Sequence, residues 1–396
     1  MNRVLSFVTV VALCTAVPVD THAQTASAAN HDNSKSRAVI TEYPTASAKS
    51  FPQGIDLDED GNIWYAETGA GKIAVLRPNH TTAEYPVPNG GQPITPKVAR
   101  DGIWFTDGPN HAIGHLNPDT GKIVEYPIPS GAFPLFLQIA ADGSKWFSEL
   151  TGVGRLGLNG VFTQWDVVLE HPDDNIEQLS IDRTGDVWFA ERNFDGVGPA
   201  GTNKVRRLNP WTNVISTYLV PTLGGNPAGV QANPDGTVWV SEYFANAFAL
   251  LFPNVAPHTD EVVAPNAQSG NSSSAKARPT NLGRVTGVRT PVTPTINFVK
   301  PNFTLGWVEY VIPTADTESE DMRVDCFGRL WYEGDTGFVG VLNPFAALFT
   351  QYAIPSVDSG YYNVALDAKT NRLWFTEAGA FAPVDTKVGN LNAGNW

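Results

Sequence analysis

Hydrophobic and polar positions alternate in short segments along most of the chain, and these segments recur in a fixed order. An apolar segment leads into an Asp/Gly turn. A segment built around tryptophan follows, then a third segment, and then a fourth that often ends in Tyr-Pro or Tyr-x-x-Pro. A period of two residues is typical of half-buried β-strands, and Gly, Asp and Asn suit tight turns. The pattern predicts repeated units of four short antiparallel strands.

Seven tryptophans mark seven copies of this unit: Trp64, Trp104, Trp146, Trp188, Trp239, Trp331 and Trp374. Four strands at a period of about 40–45 residues are typical of propeller blades. Between Trp239 and Trp331 the interval is longer, because residues 254–302, rich in Pro, Asn, Ser and Thr, interrupt blade five between its third and fourth strands. The sequence predicts an all-β, seven-bladed β-propeller over 38–396. We expect 254–302 to be a low-complexity insertion that decorates the face opposite the starts of the innermost strands.

The seventh unit lacks the Tyr-Pro strand that most other units carry in fourth place. A matching segment, Ala38 to Pro44, stands at the other end of the chain. An N-terminal strand that completes the last blade would close the ring and cover both sheet edges. We predict this closure.

The first 23 residues combine a basic start, a short apolar run and a small-x-small site, which predicts a secretory signal peptide; 24–37 form a polar tail that we expect to be disordered. Removing the signal leaves Cys326 as the remaining cysteine, which excludes a disulfide framework and favours a small buried residue. Sequons at Asn79, Asn271 and Asn302 predict glycosylated surface loops. A secreted, extracellular protein is expected.

The charge balance narrows the partners. Forty acidic and 26 basic residues give a net charge of −14 and a pI near 4.9, which argues against nucleic acid and anionic membranes. With 42% hydrophobic and 17% charged residues, a large core can form. We expect a monomer whose ligand is a small molecule or a peptide.

The repeated Pro-x-Gly-Ile, Asp-Gly-x-Ile-Trp-Phe and Glu-Tyr-x-x-Pro segments resemble those of the streptogramin B lyase (virginiamycin B lyase) family, over about Val39 to Asn392. The resemblance implies a seven-bladed propeller that linearises a cyclic depsipeptide by elimination, using magnesium and a histidine near the axis.

This chain departs from the family pattern at the positions that carry the chemistry. Gln53 stands at the blade-one Pro-x-Gly-Ile site, Met322 and Tyr362 stand where the resemblance implies histidines, and Gly360 stands where it implies a glutamate. The remaining histidines are outside the expected starts of the innermost strands, and we interpret them as solvated or structural.

Acidic residues recur at the end of the tryptophan strand, as in Glu67, Asp107, Glu149, Glu191, Glu242 and Glu377. Their regularity favours a structural role, in which each binds a neighbouring backbone amide. Residues that break the repeat are better site candidates. The proposed catalytic residues are Glu177, Asp321, Arg323 and Glu333, and the proposed substrate-binding residues are Gln53, Gln178, Asn226, Tyr361, Tyr362 and Asn363.

Glu177, Asp321 and Glu333 offer the oxygen ligands that Mg²⁺ or Ca²⁺ prefers, so one cation could be held there. Arg323 could clamp a carboxylate or stabilise an enolate-like charge, or it could form an ion pair with Asp321 or Glu320 that holds the blade.

Three functions remain open at this point. The first is an enzyme, a lyase or hydrolase, that opens an ester or lactone of a small metabolite, and whole-chain resemblance favours it. The second is a non-catalytic binding propeller for a peptide, glycan or metabolite, favoured by the missing histidines. The third is a calcium-dependent, lactonase-like hydrolase, since carboxylates and amides can replace histidine around calcium.

Overall fold

The structure is a computed structural model that describes residues 38–169, 171, 173–193, 203–356, 360–378 and 386–393. The expected signal peptide and tail, 1–37, lie outside these residues. Strands dominate the fold, joined by turns and by two single-turn 3₁₀ helices, Thr68–Ala70 and Pro88–Gly90. Within the described ranges, none of the helices has the length and apolar character needed to cross a membrane.

Seven antiparallel sheets form the predicted β-propeller, each with four blade strands that follow in sequence order from the axis outwards, except that β1 is the fourth strand of blade seven. Strands are numbered in chain order. Blades one to three comprise β2 (Pro52–Leu57), β3 (Ile63–Glu67), β4 (Lys72–Leu76) and β5 (Thr81–Pro86); β6 (Pro93–Ala99), β7 (Gly102–Asp107), β8 (Ala112–Asn117) and β9 (Lys122–Pro127); β10 (Pro134–Ile139), β11 (Lys145–Glu149), β12 (Gly152–Leu156) and β13 (Val161–Asp166).

Blades four to seven follow the same order. They comprise β14 (Asp174–Ile181), β15 (Val187–Asn193), β16 (Lys204–Asn209) and β17 (Val214–Leu219); β18 (Pro227–Ala232), β19 (Val238–Glu242), β20 (Ala247–Leu251) and β28 (Trp307–Val311); β29 (Met322–Val324), β30 (Leu330–Gly334), β31 (Phe338–Asn343) and β32 (Leu348–Ala353); β33 (Gly360–Asp367), β34 (Arg372–Ala378), β35 (Lys387–Asn392) and β1 (Val39–Pro44).

The N-terminal strand closes the ring as predicted. β1 pairs antiparallel with β35 over its whole length, from Val39 opposite Asn392 to Pro44 opposite Lys387. The first and last strands of the described chain therefore lie side by side in blade seven, and neither has an open inner edge.

The hydrophobic core is divided among the seven contacts between neighbouring blades. Each contact holds one cluster of buried side chains, and each cluster contains at least one of the repeat tryptophans.

The turn aspartate of the repeat fixes the orientation of the tryptophan side chain. In blade one, Asp58 accepts the indole N–H of Trp64 at 2.9 Å, and Gly61 takes the positive φ that the turn requires. The same aspartate bond recurs at Trp104, Trp188 and Trp331.

The insertion in blade five does not decorate one face; that expectation is wrong. It leaves after β20, passes once around the whole propeller and returns to β28, adding a fifth, outermost strand to every blade. We call residues 258–304 the girdle. Its strands are β21 (His258–Val262), β22 (Asn266–Ser269), β23 (Ser273–Lys276), β24 (Thr280–Arg284), β25 (Val288–Pro291), β26 (Thr295–Phe298) and β27 (Asn302–Thr304).

The girdle visits the blades against their chain order: four, three, two, one, seven, six and five. At about 3.3 Å per residue its length spans roughly 150 Å, enough to encircle a seven-bladed ring. The chain places one strand in each successive blade every seven or eight residues.

Cys326, expected to be buried, is exposed in the turn after β29. The sequons Asn79, Asn271 and Asn302 are exposed, the last two within the girdle region.

Polar side chains anchor the girdle to buried groups of the blades. Asn281 donates from Nδ2 to Oε2 of the fully buried Glu84 at 2.5 Å. Asn302 donates in the same way to Glu309 at 3.1 Å, and Glu261 accepts from Arg206 of blade four at 3.1 Å. The girdle is thus held by specific side-chain contacts as well as by backbone pairing.

The contact between Asn281 and Glu84 can be tested by a single-atom change. We expect Asn281→Asp to lower the free energy of unfolding by about 1–3 kcal/mol, because a donor to the buried Glu84 carboxylate is replaced by a like charge. Aspartate tolerates the left-handed backbone at this position (φ 49°), so strain is not added. The midpoint of urea unfolding measures the effect. Asn271→Asp, exposed in the same girdle, is the matched control, and equal losses in both variants would contradict the anchor.

Candidate functional site

The innermost strands place residues at three stacked levels around the axis, which we call rings. The lower ring consists of the residues paired with the repeat tryptophans: Asp56, Lys97, Gln138, Ser180, Gln231, Arg323 and Ala365. Two residues earlier lies the middle ring: Gly54, Thr95, Phe136, Gln178, Gly229, Asp321 and Asn363. One further residue back lies the upper ring: Gln53, Ile94, Leu135, Glu177, Ala228, Glu320 and Tyr362.

Two consecutive residues of a regular strand point to opposite faces, so upper and middle rings would not normally share the axis. In six blades the register shifts just there, as between Pro52 and Ile55 or between Ile176 and Leu179. A bulge of this kind redirects a side chain. It explains why Glu177 and Gln178 both line free space near the axis.

A cleft of about 490 Å³ lies at the upper mouth. One side is apolar, with Phe51, Phe133, Leu135 and Phe136 among its lining residues, and the other presents charged groups: Glu177, Arg192 and Glu320. This volume and this mixture of apolar wall and few polar groups are typical of small-molecule sites. We take this cleft as the candidate site.

Glu177 is the buried acid of the cleft. It is 3% exposed, and within the described residues its Oε1 accepts no hydrogen bond. Burial raises the pKa of Glu177 to about 7, an effect that Arg192 opposes and Glu320 reinforces. A carboxyl group with such a pKa exchanges protons readily near neutral pH.

Arg192 follows the repeat acid Glu191 and organises the charged side of the cleft. It donates from Nη1 to Oε1 of Glu320 at 2.6 Å, and its guanidinium lies 4.1 Å from the ring centre of Tyr243. The Tyr243 hydroxyl lies 3.0 Å from Oδ2 of Asp335. Burial, with Glu320 nearby, raises the pKa of Asp335 to about 7. Sequence reasoning missed Arg192, Tyr243 and Asp335 because each lies just outside the repeated motif.

Blade six departs from the expected alignment. Met322 pairs with Tyr332, as Ile55 does with Tyr65, so Met322 is a core residue and Glu320 occupies the position of Gln53. The residue that replaces a histidine in blade six is therefore Glu320 and not Met322. Tyr361 and Tyr362 begin the innermost strand of blade seven, and their side chains lie outside the described part.

Glu333 and Asp321 hold the blade-six entrance instead of facing the cleft. Glu333 is fully buried, and its Oε1 accepts the backbone N–H groups of Glu320 and Asp321 at 2.9 and 2.8 Å. Asp321 accepts the N–H of Val364 in blade seven at 3.0 Å and a short bond from Arg323. Of the two roles considered for Arg323, the ion pair with Asp321 is present.

Of the other proposed binding residues, three line the cleft or the constriction below it, and one is a structural residue between two blades. Gln53 lines the cleft, Gln178 lines the constriction below it, and Asn363 lines both. Asn226 does not face the cleft. Fully buried, it accepts the N–H of Asn193 at 2.8 Å and donates to the carbonyl of Asn193 at 2.9 Å, so it braces blade four against blade five.

The donor set does not match a magnesium centre of the kind that the resemblance implies. Glu320 and Tyr362 stand at the ring positions where histidines are implied, and Glu333 uses one oxygen on two amides. Across the described ranges, no group of three or more His, Cys, Asp or Glu side chains is placed to hold a metal ion. Glu177, Asp321 and Glu333 do not form such a group, and we derive no step through Mg²⁺ or Ca²⁺.

The repeat acids are structural: Asp107 binds a backbone amide as expected, whereas Glu149 and Glu191 bind side-chain donors. Asp107 accepts the N–H of Gln92 at 3.0 Å, Glu149 accepts Gln164 at 2.6 Å and Glu191 accepts Arg206 at 2.7 Å. Glu67, Glu242 and Glu377 instead face a second carboxyl group on the fourth strand: Glu84, Glu309 and Glu42, respectively.

In these three pairs, neither oxygen of the repeat acid accepts a hydrogen bond within the described residues. A buried carboxyl without donors is best satisfied by carrying a proton that it gives to its neighbour. Burial together with the neighbouring carboxyl raises the pKa of Glu67, Glu242 and Glu377 to about 8 in each case.

Comparisons with known proteins agree with this architecture. The model of the virginiamycin B lyase family matches residues 25–250. Virginiamycin B lyase of Nocardia farcinica (strain IFM 10152) is 30% identical over 196 residues, which are 49% of this chain and 63% of that relative, less than two thirds of its length.

Among solved structures, a streptogramin B lyase superimposes with a TM-score of 0.67 at 19% identity, covering 91% of this chain and 99% of the other. A catalytically inactive virginiamycin B lyase from Staphylococcus aureus with quinupristin gives 0.67 at 18% identity, covering 90% and 99%. At these identities the structural likeness shows the seven-bladed fold alone.

The acid pairs predict how stability depends on pH. Their raised pKa values mean that the folded state keeps protons that the unfolded chain releases near 4.5. The resulting stabilisation is complete below about pH 4.5 and is lost as the pH rises to about 8. We expect Glu67→Gln to be more stable than the natural protein at pH 9 by about 1 kcal/mol or more, and to lose less stability between pH 5 and 9. Urea unfolding across this range measures both.

Glu59→Gln removes an exposed carboxylate from the same blade and serves as the control. It should leave the pH dependence unchanged. A Glu67→Gln variant that follows the natural pH dependence would show that Glu67 is ionised in the folded state.

Proposed function

This chain belongs to the virginiamycin B lyase family, and from that premise we propose that it is an enzyme that opens an ester or lactone bond of a small, largely apolar molecule bound in the upper cleft. One observation carries the proposal: a buried carboxyl group, Glu177, with an unbonded oxygen, lines an apolar cleft of about 490 Å³. A binding site alone has no need of a buried acid without a partner, since such a group costs free energy.

Glu177 is the general base in this proposal. In an elimination, its carboxylate takes the proton from the carbon next to the carbonyl group. The electron pair of that C–H bond forms a C=C bond to the neighbouring carbon. The bond from that neighbouring carbon to the ester oxygen breaks, and the ester group leaves as a carboxylate. In a hydrolysis, Glu177 would instead take a proton from water, whose oxygen adds to the ester carbonyl carbon. The bond from that carbon to the alkoxide oxygen then breaks, and Glu177 returns its proton to the departing alcohol. Arg192 supplies positive charge beside the negative charge that develops in both cases.

The aromatic wall determines the substrate class. Phe51, Phe133 and Phe136 offer ring faces for apolar or aromatic substituents, while Gln53 and Asn363 offer amide groups that can orient a carbonyl. The similar virginiamycin B lyase from Staphylococcus aureus was solved with quinupristin, and the family resemblance implies a cyclic depsipeptide substrate. Cyclic depsipeptides and macrolactones are therefore the first compounds to assay.

A second candidate function is a binding propeller without catalysis. It is favoured by the residues at the histidine positions of the family, Glu320 and Tyr362, which leave no histidine in the upper ring. Both functions place the ligand in the same cleft, and only the fate of the ligand separates them.

We also propose that the protein acts outside the cell as a monomer, on the basis of its N-terminal sequence and its pI near 4.9.

The decisive assay incubates the protein with a panel of cyclic depsipeptides and lactones and follows product mass. Elimination leaves the mass of the substrate unchanged while the ring opens, whereas hydrolysis adds one water. We expect Glu177→Gln to lower kcat by about 100-fold or more, the usual contribution of a general base. Recovery of intact, bound ligand from the natural protein across the panel would favour the binding propeller.

Glu149→Gln is the matched control for Glu177→Gln. Glu149 is equally buried, and burial raises its pKa to about 7 as well, yet it does not line the cleft. Its variant should keep kcat within about twofold. Equal losses in the two variants would place the effect in the fold and not in the chemistry.

The pH profile gives a further prediction. A general base must be ionised to accept a proton, so kcat/KM should rise with pH through the pKa of Glu177, about 7, and level off above it. The same rise of kcat/KM with pH should be seen in the Glu149→Gln variant. A profile that is flat between pH 5 and 9 would argue against Glu177 as the base.

A further inference from the structure

A second cavity lies on the axis below the cleft. It has a volume of about 380 Å³ and is lined chiefly by the lower ring, with Lys97, Gln138, Ser180, Gln231 and Arg323 all reaching it. Between the two cavities the middle ring narrows the free space to about 10 Å³. The lower cavity opens toward the face opposite the cleft, so it is a separate compartment.

Lys97 is the unusual member of this ring. It is only 9% exposed, and within the described residues its ammonium group makes neither an ion pair nor a hydrogen bond, although it lines the cavity. Burial lowers the pKa of Lys97. A buried ammonium group normally has a counter-charge, because removing it from water without one is costly.

The nearby carboxylates do not satisfy this lysine. Asp56, in the same ring, already accepts the N–H groups of Leu57 at 3.0 Å and Val98 at 2.8 Å. Asp321, in the ring above, accepts Met322 and Val364 and pairs with Arg323. Their charges offset part of the positive potential, but their oxygens are engaged by other donors.

The cavity therefore has more donors than acceptors. Besides Lys97, Arg323 uses only Nη1 for its two contacts within the described chain, which leaves Nε and Nη2. Ser180 accepts the N–H of Ala232 at 3.0 Å through Oγ and retains its own proton to donate. Ammonium, guanidinium and hydroxyl donors around one small space are suited to an oxyanion.

We propose that the lower axial cavity is a binding site for a small oxyanion, a carboxylate or a phosphate, held by Lys97 and Arg323 from opposite sides of the ring. The Lys97 ammonium supplies a point charge, and the free guanidinium edge of Arg323 supplies directed N–H donors. Blades two and six, which carry these residues, are not neighbours, so a bound anion would tie distant blades through the axis. This site does not depend on the function proposed for the upper cleft.

The test is calorimetric titration of the full protein with inorganic phosphate and, separately, with malonate, at constant ionic strength set by sodium chloride. Saturable binding of either probe is expected, and the two arms distinguish a tetrahedral anion from a carboxylate. Lys97→Met should weaken binding by about tenfold or more, since one of two charges is lost. Lys369→Met removes the same charge from a turn on the same face, outside the cavity, and should leave binding unchanged.

Gln138→Glu provides an independent variant that keeps Lys97. It places a carboxylate in the lower ring, where it would compete for the ammonium group, so it should abolish binding of both probes while raising thermal stability. Binding that survives Lys97→Met and Gln138→Glu, or that is lost equally in Lys369→Met, would overturn the site. The absence of saturable binding to the natural protein with either probe would do so as well.

Discussion

A propeller blade is a twisted sheet with one edge at the axis and one edge at the rim, and the rim edge is the constraint on which this structure depends. Unpaired N–H and C=O groups along a rim edge invite pairing with other chains. In this protein the girdle covers all seven rim edges, β1 covers the gap between the chain ends, and the tryptophan clusters hold the blades face to face. The three devices act on different surfaces, and the outermost edge of every blade is reduced to a girdle strand of three to five residues.

The inner edge carries both proposed sites, and the tryptophan repeat fixes the geometry of that edge. Because each lower-ring residue pairs with a repeat tryptophan, the position of any inner residue follows from counting back from that tryptophan. The residue types at the ring positions differ more from blade to blade than those in the rest of the repeat. They separate an upper cleft built around Glu177 from a lower cavity built around Lys97, with acids such as Glu333 buried between them as supports.

Most of the fold could be predicted from the sequence, because seven tryptophans and their turn aspartates repeat without ambiguity. The girdle could not, since its strands have three to five residues, are exposed and lack an apolar face, so they carry no period of two. Their spacing of seven or eight residues is the sequence signal that could have revealed them.

At the site, Glu177 could be predicted because it departs from the repeat. Glu333 was misassigned because only coordinates reveal that its oxygen reaches two amides, and Arg192 was hidden behind Glu191.

The direction of the girdle has a consequence for how the molecule is assembled during synthesis. Strands β21 to β24 can dock at once, because blades four to one precede them in the chain. β26 must wait, because its partner β32 belongs to blade six, which the ribosome has yet to make. β25 pairs with β1, which is already made, but β1 joins the rest of blade seven only when β35 follows. The last strands of the girdle are therefore paired late, around a ring that the final quarter of the chain completes.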